Sequence, residues 1–580
     1  MDKIKASDYI VEFLIKKGIT DVFGYPGGMV THLMDSLDKY SHSIRTHLNY
    51  HEQASAMAAC GWAEMMGKPG VAYATSGPGA TNLLTGIACA YYDSIPSIFL
   101  TGQVNTYEQK TYQGGRQKGF QETDIVSMAT PITKMAKMVK SADDLPKTLE
   151  LAYQTAMEGR RGPVLLDIPM NVSREYILKG RINEVVEQTQ ESNRSCAKLD
   201  KSVDRILEKL QKSYRPVLLA GHGVALSNMQ GVFRQLVDTL QIPVVSSMIA
   251  VDVLPSSSVY SYGMIGAYGV RWANYILNHS DCILSLGSRL DCRQTGVNTN
   301  LFAPDASLLR IDIDSGEFEN QISEKEEQFC FDLSSFLPKL LKNAKNYTWN
   351  YRAWNNACNS VRTLLRQAET LEEGNNAIRE ISEVIPGGTC VTTDVGQNQV
   401  WVAQSFKVKE QQRLLFCGGH GAMGYSLPSA IGAALASGKM TVAIMGDGGL
   451  QMNLQELEFV AREQLPIKII VINNRALGMI HHFQEMYFGS NYVQTDDKKG
   501  YTVPDCMQIA QAYGLRNVEY QSADQISQYF KDDKPVVIEV RLSQQTHVFP
   551  KLGMNKPIDD QEPPLSDDLR KRIRDILKEA

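Results

Sequence analysis

The chain has 580 residues, of which 43% are hydrophobic and 21% charged, and its formal net charge is −5. That length exceeds what one hydrophobic core organises and points to three or four domains. The mild acidity argues against a nucleic-acid binder, and no apolar run reaches the roughly 18 residues of a membrane helix. Ten cysteines are scattered without a CxxC pair. Several lie in apolar segments (Cys60, Cys89, Cys417), which reads as reduced, mostly buried thiols in a cytoplasmic protein.

The N-terminus, MDKIKASDYIVEFLIKKG, has the pattern of an amphipathic helix and lacks the uninterrupted apolar stretch of a signal peptide. Across residues 1–180 short apolar runs (DVFGYPG, GVAYATSGPG, PSIFLTGQ, GPVLLDIP) alternate with helical stretches, a doubly wound α/β pattern. Residues 181–199 are polar and read as a linker. A second α/β pattern covers 200–345 (PVLLAGHG, IPVVSS, DCILSLGSRLD, SLLRIDID), and 346–376 reads as a linker helix. The third pattern, 377–545, is similar in size and rhythm to the first. Residues 546–580 form a Pro-rich stretch and a short amphipathic helix, with Leu565, Leu569, Ile573, Ile576 and Leu577 on one face. The predicted fold class is α/β: three doubly wound parallel-sheet domains with ligand crevices at the strand ends.

One stretch carries chemistry by itself: TVAIMGDGGLQMNLQELEFVAREQLPIKIIVINN, residues 441–474. Thr441 to Met445 reads as a buried strand. A helical pattern follows, with Leu454, Leu457, Val460 and Ala461 on one stripe, and Ile467 to Ile472 is a second strand ending in Asn473-Asn474. In such a βαβ unit both strand ends lie side by side, so Asp447 and Asn474 converge. One carboxylate, one amide oxygen and a backbone carbonyl suit a hard, octahedral Mg²⁺ that takes further ligands from a phosphate. Gly446, Gly448 and Gly449 let backbone N–H groups approach a diphosphate.

Together with GYPGG at 24–28, the long block HEQASAMAACGWAEMMGKPGVAYATSGPGATNLLTGI at 51–87 and FQETDIV at 120–126, this stretch resembles the thiamin-diphosphate (ThDP) dependent enzymes of the acetolactate synthase branch, over nearly the whole chain. The resemblance implies an N-terminal pyrimidine-binding domain (1–180), a central flavin-type domain (200–345) and a diphosphate- and Mg²⁺-binding domain (377–545). It implies that Glu52 sits against N1′ of the aminopyrimidine and shares a proton with it, which promotes loss of the thiazolium C2 proton. The alternative is that Glu52 caps the helix that follows. Gly28, Phe120 and Gln121 match residues at the reacting end of the cofactor, and Pro26, Thr75, Pro78 and Asn82 match its pyrimidine side. Met423, in GGHGAMGYSLP, matches the apolar wedge beneath the bent cofactor; its alternative is a plain core methionine. Asp447, Asn474 and the Ala476 carbonyl match the metal ligands. The block Asp394-Val395-Gly396-Gln397, with Asn398, Gly421, Leu477, Gly478, Met479 and Ile480, completes the diphosphate side. In this family Glu52 and Asp447 would act on one cofactor from different subunits, so a homodimer or homotetramer is expected.

LSLGSRLDCRQTG at 284–296, AGHG at 220–223 and GMIGAYG at 263–269 resemble flavin-side blocks and imply FAD, held by Gly221, Gly223, Met264, Gly266, Gly287, Arg289, Asp291 and Arg293. The alternative is a central domain that keeps the fold without the flavin. The two-carbon unit left by decarboxylation of pyruvate has three fates: protonation, oxidation through the flavin, or attack on a second carbonyl. The 103–122 loop contains no histidine, which counts against a simple decarboxylase. His481 and His482 read as partly exposed helix residues as readily as catalytic ones. An amphipathic C-terminal helix keeps a membrane-associated oxidase in view, although Asp567, Asp568 and Asp575 dilute its basic face. Carboligation fits best, with Arg293 matching the arginine that holds the acceptor carboxylate. Two departures qualify it: Phe483 replaces a tryptophan and Met170 a lysine. They leave open a ketone acceptor such as a nucleotide-activated 4-keto-deoxysugar, as in the flavoenzyme that makes the branched sugar yersiniose.

Overall fold

The computed structural model describes residues 3–112, 114–178 and 196–579. Three six-stranded, wholly parallel sheets organise the chain. In the first, the strands run Arg45–Leu48, Asp21–Gly24, Gly70–Ala74, Ser97–Gln103, Pro163–Pro169, Met135–Met138 across the sheet. In the third they run Arg413–Leu415, Cys390–Thr393, Thr441–Gly446, Ile467–Asn473, Val536–Arg541, Arg516–Glu519. Counted within each sheet, both orders are 2-1-3-4-6-5. The middle sheet, starting at Ser261–Met264 and Val244–Ser246 and continuing through Pro216–Ala220, Cys282–Leu286, Ser307–Asp312 and Glu326–Cys330, has the order 3-2-1-4-5-6 of dinucleotide-binding folds.

Each order contains a place near its middle where successive strands depart in opposite directions from neighbouring positions, and loops there diverge to leave a crevice at the carboxyl ends. In the first sheet it lies between Asp21–Gly24 and Gly70–Ala74, in the middle between Pro216–Ala220 and Cys282–Leu286, in the third between Cys390–Thr393 and Thr441–Gly446. The GYPGG, AGHG, LGSR and MGDGG segments all follow one of these strands. Helices cover both faces, so strands such as Ile467–Asn473 are buried throughout and read as continuous apolar runs.

The two strands of the metal-site stretch pair in register, Gly446 opposite Ile472. The helical pattern expected between them is divided into two helices, Asp447–Met452 and Glu456–Arg462. Asn453 leaves helical geometry at φ −134° and donates to Gly424 O at 2.7 Å, tying the break to the Met423 loop. Leu454, Leu457, Val460 and Ala461 nevertheless join one apolar cluster.

The first and third domains are locked by a close crossing of helices Glu52–Met66 and Ser426–Ser437. Small residues make it possible: a Cβ on Gly61 would stand 2.0 Å from Ser429 O, and one on Gly432 1.9 Å from Ala58 O. Since Glu52 starts one helix and Met423 closely precedes the other, the crossing sets the position of both.

Residues 181–195 of the expected linker lie outside the described residues, and helix Cys196–Lys212 starts before the expected end at 199. The linker helix expected at 346–376 is present as helix Arg352–Ala368, but it is part of the central domain rather than a linker, since its Trp354, Cys358, Val361 and Leu365 are buried in the central core. The C-terminal helix Asp567–Lys578 packs on that core too: Ile573 and Leu577 are buried, with Leu565, Leu569 and Ile576 against them. Its apolar face is thereby used within the chain, so it gives no support to the oxidase reading. Among the described residues no helix is long and apolar enough to cross a membrane. Cys60, Cys89 and Cys417 are buried, with Sγ of Cys89 and Cys417 3.5 Å apart.

Candidate active site

At the crevice of the third sheet, Asp447 follows strand Thr441–Gly446 and is 3% exposed. Its Oδ1 accepts from Gly448 N at 2.6 Å and from the Tyr501 hydroxyl at 3.0 Å. Its Oδ2 is fully buried and has no hydrogen-bond partner among the described residues. Burial pushes the carboxyl up to about 6, against Tyr501 and the backbone N–H groups of Gly448, Arg475 and Ala476, which favour the anion. A buried, unpartnered carboxylate oxygen is costly, and a divalent cation is the group that would satisfy it. On the neighbouring strand Asn474 is also buried; its Nδ2 donates to Gln397 Oε1 at 2.8 Å, and its Oδ1 receives the Ala476 N–H at 3.3 Å. Asp447 and Asn474 therefore follow neighbouring, in-register strands, as the βαβ reading required, with Ala476 beside Asn474.

The predicted diphosphate residues surround them. A Cβ on Gly448 would stand 2.9 Å from Met423 Cε, 3.0 Å from Leu477 Cδ2 and 3.0 Å from the Tyr501 hydroxyl; one on Gly478 would stand 1.8 Å from Gln397 Oε1. Met423 is only half-buried, unlike a plain core methionine. Helices Gln397–Ser405 and Gly478–Tyr487 begin here, and such N-termini present free N–H groups to an anion. Gly396, the N-cap of the first, has φ 143°, which excludes a side chain. Gly446 faces Asn398, and Gly449 faces Asp394. Val395 and Met479 are half-buried, while Gly421 and Ile480 are exposed.

Two further residues shape this region. Tyr501 comes from a separate loop. Asp394 accepts from Val395, Gly424 and Tyr425 N–H groups at 2.9–3.1 Å and joins the 394–396 loop to the Met423 loop; burial raises its carboxyl to about 7 against these bonds.

In the first domain Glu52 opens helix Glu52–Met66 and is 8% exposed. It does not cap that helix: the N-cap is His51, whose Nδ1 accepts from Gln53 N at 3.1 Å. The Glu52 carboxylate instead accepts from Asn82 Nδ2 at 3.0 Å, and a Cβ on Gly79 would stand 3.1 Å from its Oε1. Thr75 packs against Gly27 and accepts from Met29 N. Pro26, Gly28 and Pro78 are exposed around this pocket, with open space beside Gly28. Gln121, at φ 64°, lies against Gly77, whereas the Phe120 ring is 82% exposed.

Among the described residues no hydrogen bond joins Glu52, Thr75 or Asn82 to the Asp447 site. The third domain does hold the approach to Glu52: Glu456 accepts from Asn49 Nδ2 at 2.9 Å and Tyr50 N at 2.8 Å. Nothing in the sequence singled Glu456 out, because its partners lie about 400 residues away.

The crevice of the middle sheet opens into a cleft of about 1400 Å³, its mouth included. Gly223, Met264, Gly287, Arg289, Asp291 and Arg293 line it. Gly221 and Gly266 do not; they permit close backbone approach, to Gly287 O and Arg293 O respectively. Asp291 is engaged in capping helix Cys292–Thr295 and in pairing with Arg289 at 3.3 Å. Further lining comes from the first domain (Tyr92, Asp93, Arg160, Arg161), from His222 and from Asp312. A part-apolar cleft at the reversal point of a 3-2-1-4-5-6 sheet, with four arginines and glycine-bounded turns, fits a dinucleotide such as FAD.

His481 and His482 are buried rather than partly exposed. Their rings stack on Tyr492 (centroids 3.8 Å apart) and His547 (4.3 Å). Burial, with the neighbouring cations, pushes His482 down to about 4. Phe483 and Tyr487, by contrast, are 47% and 46% exposed, and Met170 is half-buried.

Three family models match in order: the N-terminal TPP binding domain of thiamine pyrophosphate enzymes over 4–128, their central domain over 203–340 and their C-terminal TPP binding domain over 394–540. Relatives include the acetolactate synthase large subunit of Lactococcus lactis (35% identical, covering 95% of this chain and 96% of the relative). The acetolactate synthase isozyme 2 large subunit of Escherichia coli is 33% identical (94% and 97%), and acetolactate synthase 2 of Nicotiana tabacum is 32% identical (94% and 83%). Three matched domains in sequence and full-length likeness to these large subunits place the chain in the thiamine pyrophosphate enzyme family, as a ThDP-dependent carboligase of the acetolactate synthase type.

Proposed function

We propose that the enzyme decarboxylates pyruvate and joins the remaining two-carbon unit to the carbonyl of a second pyruvate, giving acetolactate. One carbon–carbon bond breaks as CO₂ leaves, and one forms at the acceptor carbonyl carbon. ThDP, when bound, supplies the carbon nucleophile and the electron sink. Residues 1–180 hold its pyrimidine, 377–545 its diphosphate, and 200–345 hold FAD; Asp447, Asn474 and the Ala476 carbonyl hold Mg²⁺. Met423 and Leu477, beside Gly448, support the bent cofactor, and Gly28, Gln121 and Phe120 border the reacting end from the partner chain of a cytoplasmic homodimer or homotetramer. The observation that carries the reading is Glu52: a buried carboxylate released from capping by His51, and held by Asn82 at a glycine-bounded pocket. Such a group can hold or release a proton at a ring nitrogen.

A second reading has a specific basis. Phe483 and Tyr487 stand open, and Met170 brings no charge, so a larger ketone such as a nucleotide-activated 4-keto-deoxysugar has room. Mass spectrometry of the products from pyruvate, with ThDP, Mg²⁺ and FAD and with or without such a sugar, tests both readings. Rapid acetolactate formation indifferent to the sugar supports the first; a two-carbon sugar adduct at its expense supports the second; acetate or acetaldehyde as main product overturns both. The absorption spectrum of the purified protein tests for bound flavin.

A further inference from the structure

The tail after the third domain returns to the site through strand Lys551–Leu552, paired with Gln561–Glu562. It lies along a seam. On one side Leu552 N donates to Ala267 O at 2.7 Å, next to Tyr268, whose ring has the Arg293 guanidinium 6.0 Å away. On the other side Lys551 Nζ stands 6.0 Å from the Phe483 ring centroid, 5.9 Å from that of Tyr487, and 3.3 Å from Met486 Sδ.

No carboxylate pairs with Lys551 among the described residues. Glu562, opposite it in the strand pair, is engaged by Lys556. Half-buried cations are usually paired; this one has only π faces and a thioether, and burial lowers its pKa. The surface around it is apolar and open, with Ile480, Phe483, Met486 and Tyr487 all exposed. Phe483 lies five residues into the helix that starts at the diphosphate site, about 7.5 Å along its axis.

We propose that Lys551 is an acceptor-binding cation: it takes an anionic group, phosphate or carboxylate, that the acceptor carries away from its reacting carbonyl, while Phe483 and Tyr487 support the acceptor's body. The proposal rests on the carboligation reading and narrows its acceptor class to carbonyl compounds with a remote negative charge. Lys551 is a positioning and specificity residue.

The test compares wild type, Lys551→Met and Lys551→Arg with two acceptors, a nucleoside-diphosphate 4-keto-6-deoxyhexose and 2-oxoglutarate. These separate a phosphate from a carboxylate as the recognised group. KM and kcat come from product formation, and Kd from calorimetry with ThDP and Mg²⁺ but no pyruvate, which needs no turnover. Lys551→Met is expected to raise KM and Kd for one of them about 10-fold or more, with a smaller change in kcat, and Lys551→Arg to recover most of the loss. Unchanged Kd for both acceptors overturns the proposal, and a lower melting temperature with unchanged Kd reduces Lys551 to a tail anchor. Weakened binding in a protein that makes no carbon–carbon bond leaves the lysine assignment standing and sinks the proposed function.

Discussion

Gly432→Ala should damage this enzyme far more than one methyl group suggests. The new Cβ would stand 1.9 Å from Ala58 O, 2.8 Å from Ala58 C and 2.9 Å from Trp62 N, all backbone atoms of the facing helix. A side chain could rotate away; these atoms cannot, so helices Glu52–Met66 and Ser426–Ser437 must separate by about 1 Å or more. Overpacking of this kind costs about 3 kcal/mol, which for domains of this size lowers the melting temperature by about 6–12 °C. The same shift moves Glu52 relative to its pocket and Met423 relative to Gly448. A misplacement of about 1 Å is expected to reduce turnover about 100-fold. Gly231→Ala is the control: it lies in helix Gln230–Leu240 with no atom within 4 Å of the added Cβ, and should be neutral or stabilising by about 0.5–1 kcal/mol. Scanning calorimetry and steady-state rates on both variants decide the matter. If Gly432→Ala melts with the control and keeps its rate within about threefold, the crossing does not position the site.

Other expectations concern the site itself. Asp447→Asn should weaken Mg²⁺–ThDP binding by more than the roughly 10–100-fold typical of an outer contact, and Tyr501→Phe, which removes such a contact, by about 10-fold; calorimetric titration of cofactor into apoprotein reads both. Chelation of Mg²⁺ should remove the thermal stabilisation that ThDP gives the wild type, and Asp447→Asn should lack that stabilisation from the start. If each site uses Glu52 of one chain and Asp447 of another, co-expressed Glu52→Gln and Asp447→Asn chains should recover about a quarter of wild-type activity by random pairing; no recovery from a verified heterodimer contradicts the shared site. Burial disfavours the His222 cation, but Glu64 at 3.0 Å outweighs it and raises the pKa. That contribution is complete below the usual histidine value near 6.5 and is lost as pH rises through the raised one. His222→Gln should therefore lower the melting temperature most near pH 6 and progressively less at higher pH; a pH-independent difference would refute the ion pair.

What could be read from the sequence was governed by local pattern. Buried parallel strands announce themselves as apolar runs, and the turn residues after them (GYPGG, AGHG, MGDGG) mark the crevices because they follow those strands directly. Asp447 and Asn474 were legible because one βαβ unit brings them together. The split at Asn453 was not, since the helix yields there to a hydrogen bond with Gly424, 29 residues away. Glu456 and Tyr501 were missed for the same reason: their partners are fixed by tertiary packing. His481 and His482 read as partly exposed helix residues, yet Tyr492 and His547 from separate segments cover them. The cleft's lining from the first domain depends on how two domains meet, which no periodicity encodes.

The most direct measurement is turnover of pyruvate by Glu52→Gln, with its melting temperature and ThDP affinity measured alongside. The substitution keeps the shape of the side chain and its place beside Asn82 and removes the ionisable oxygen. A folded, cofactor-binding protein with no detectable carbon–carbon bond formation is the predicted result. A Glu52→Gln enzyme that turns over at a rate near that of the wild type would contradict the assignment of the proton-holding group, and with it the mechanism.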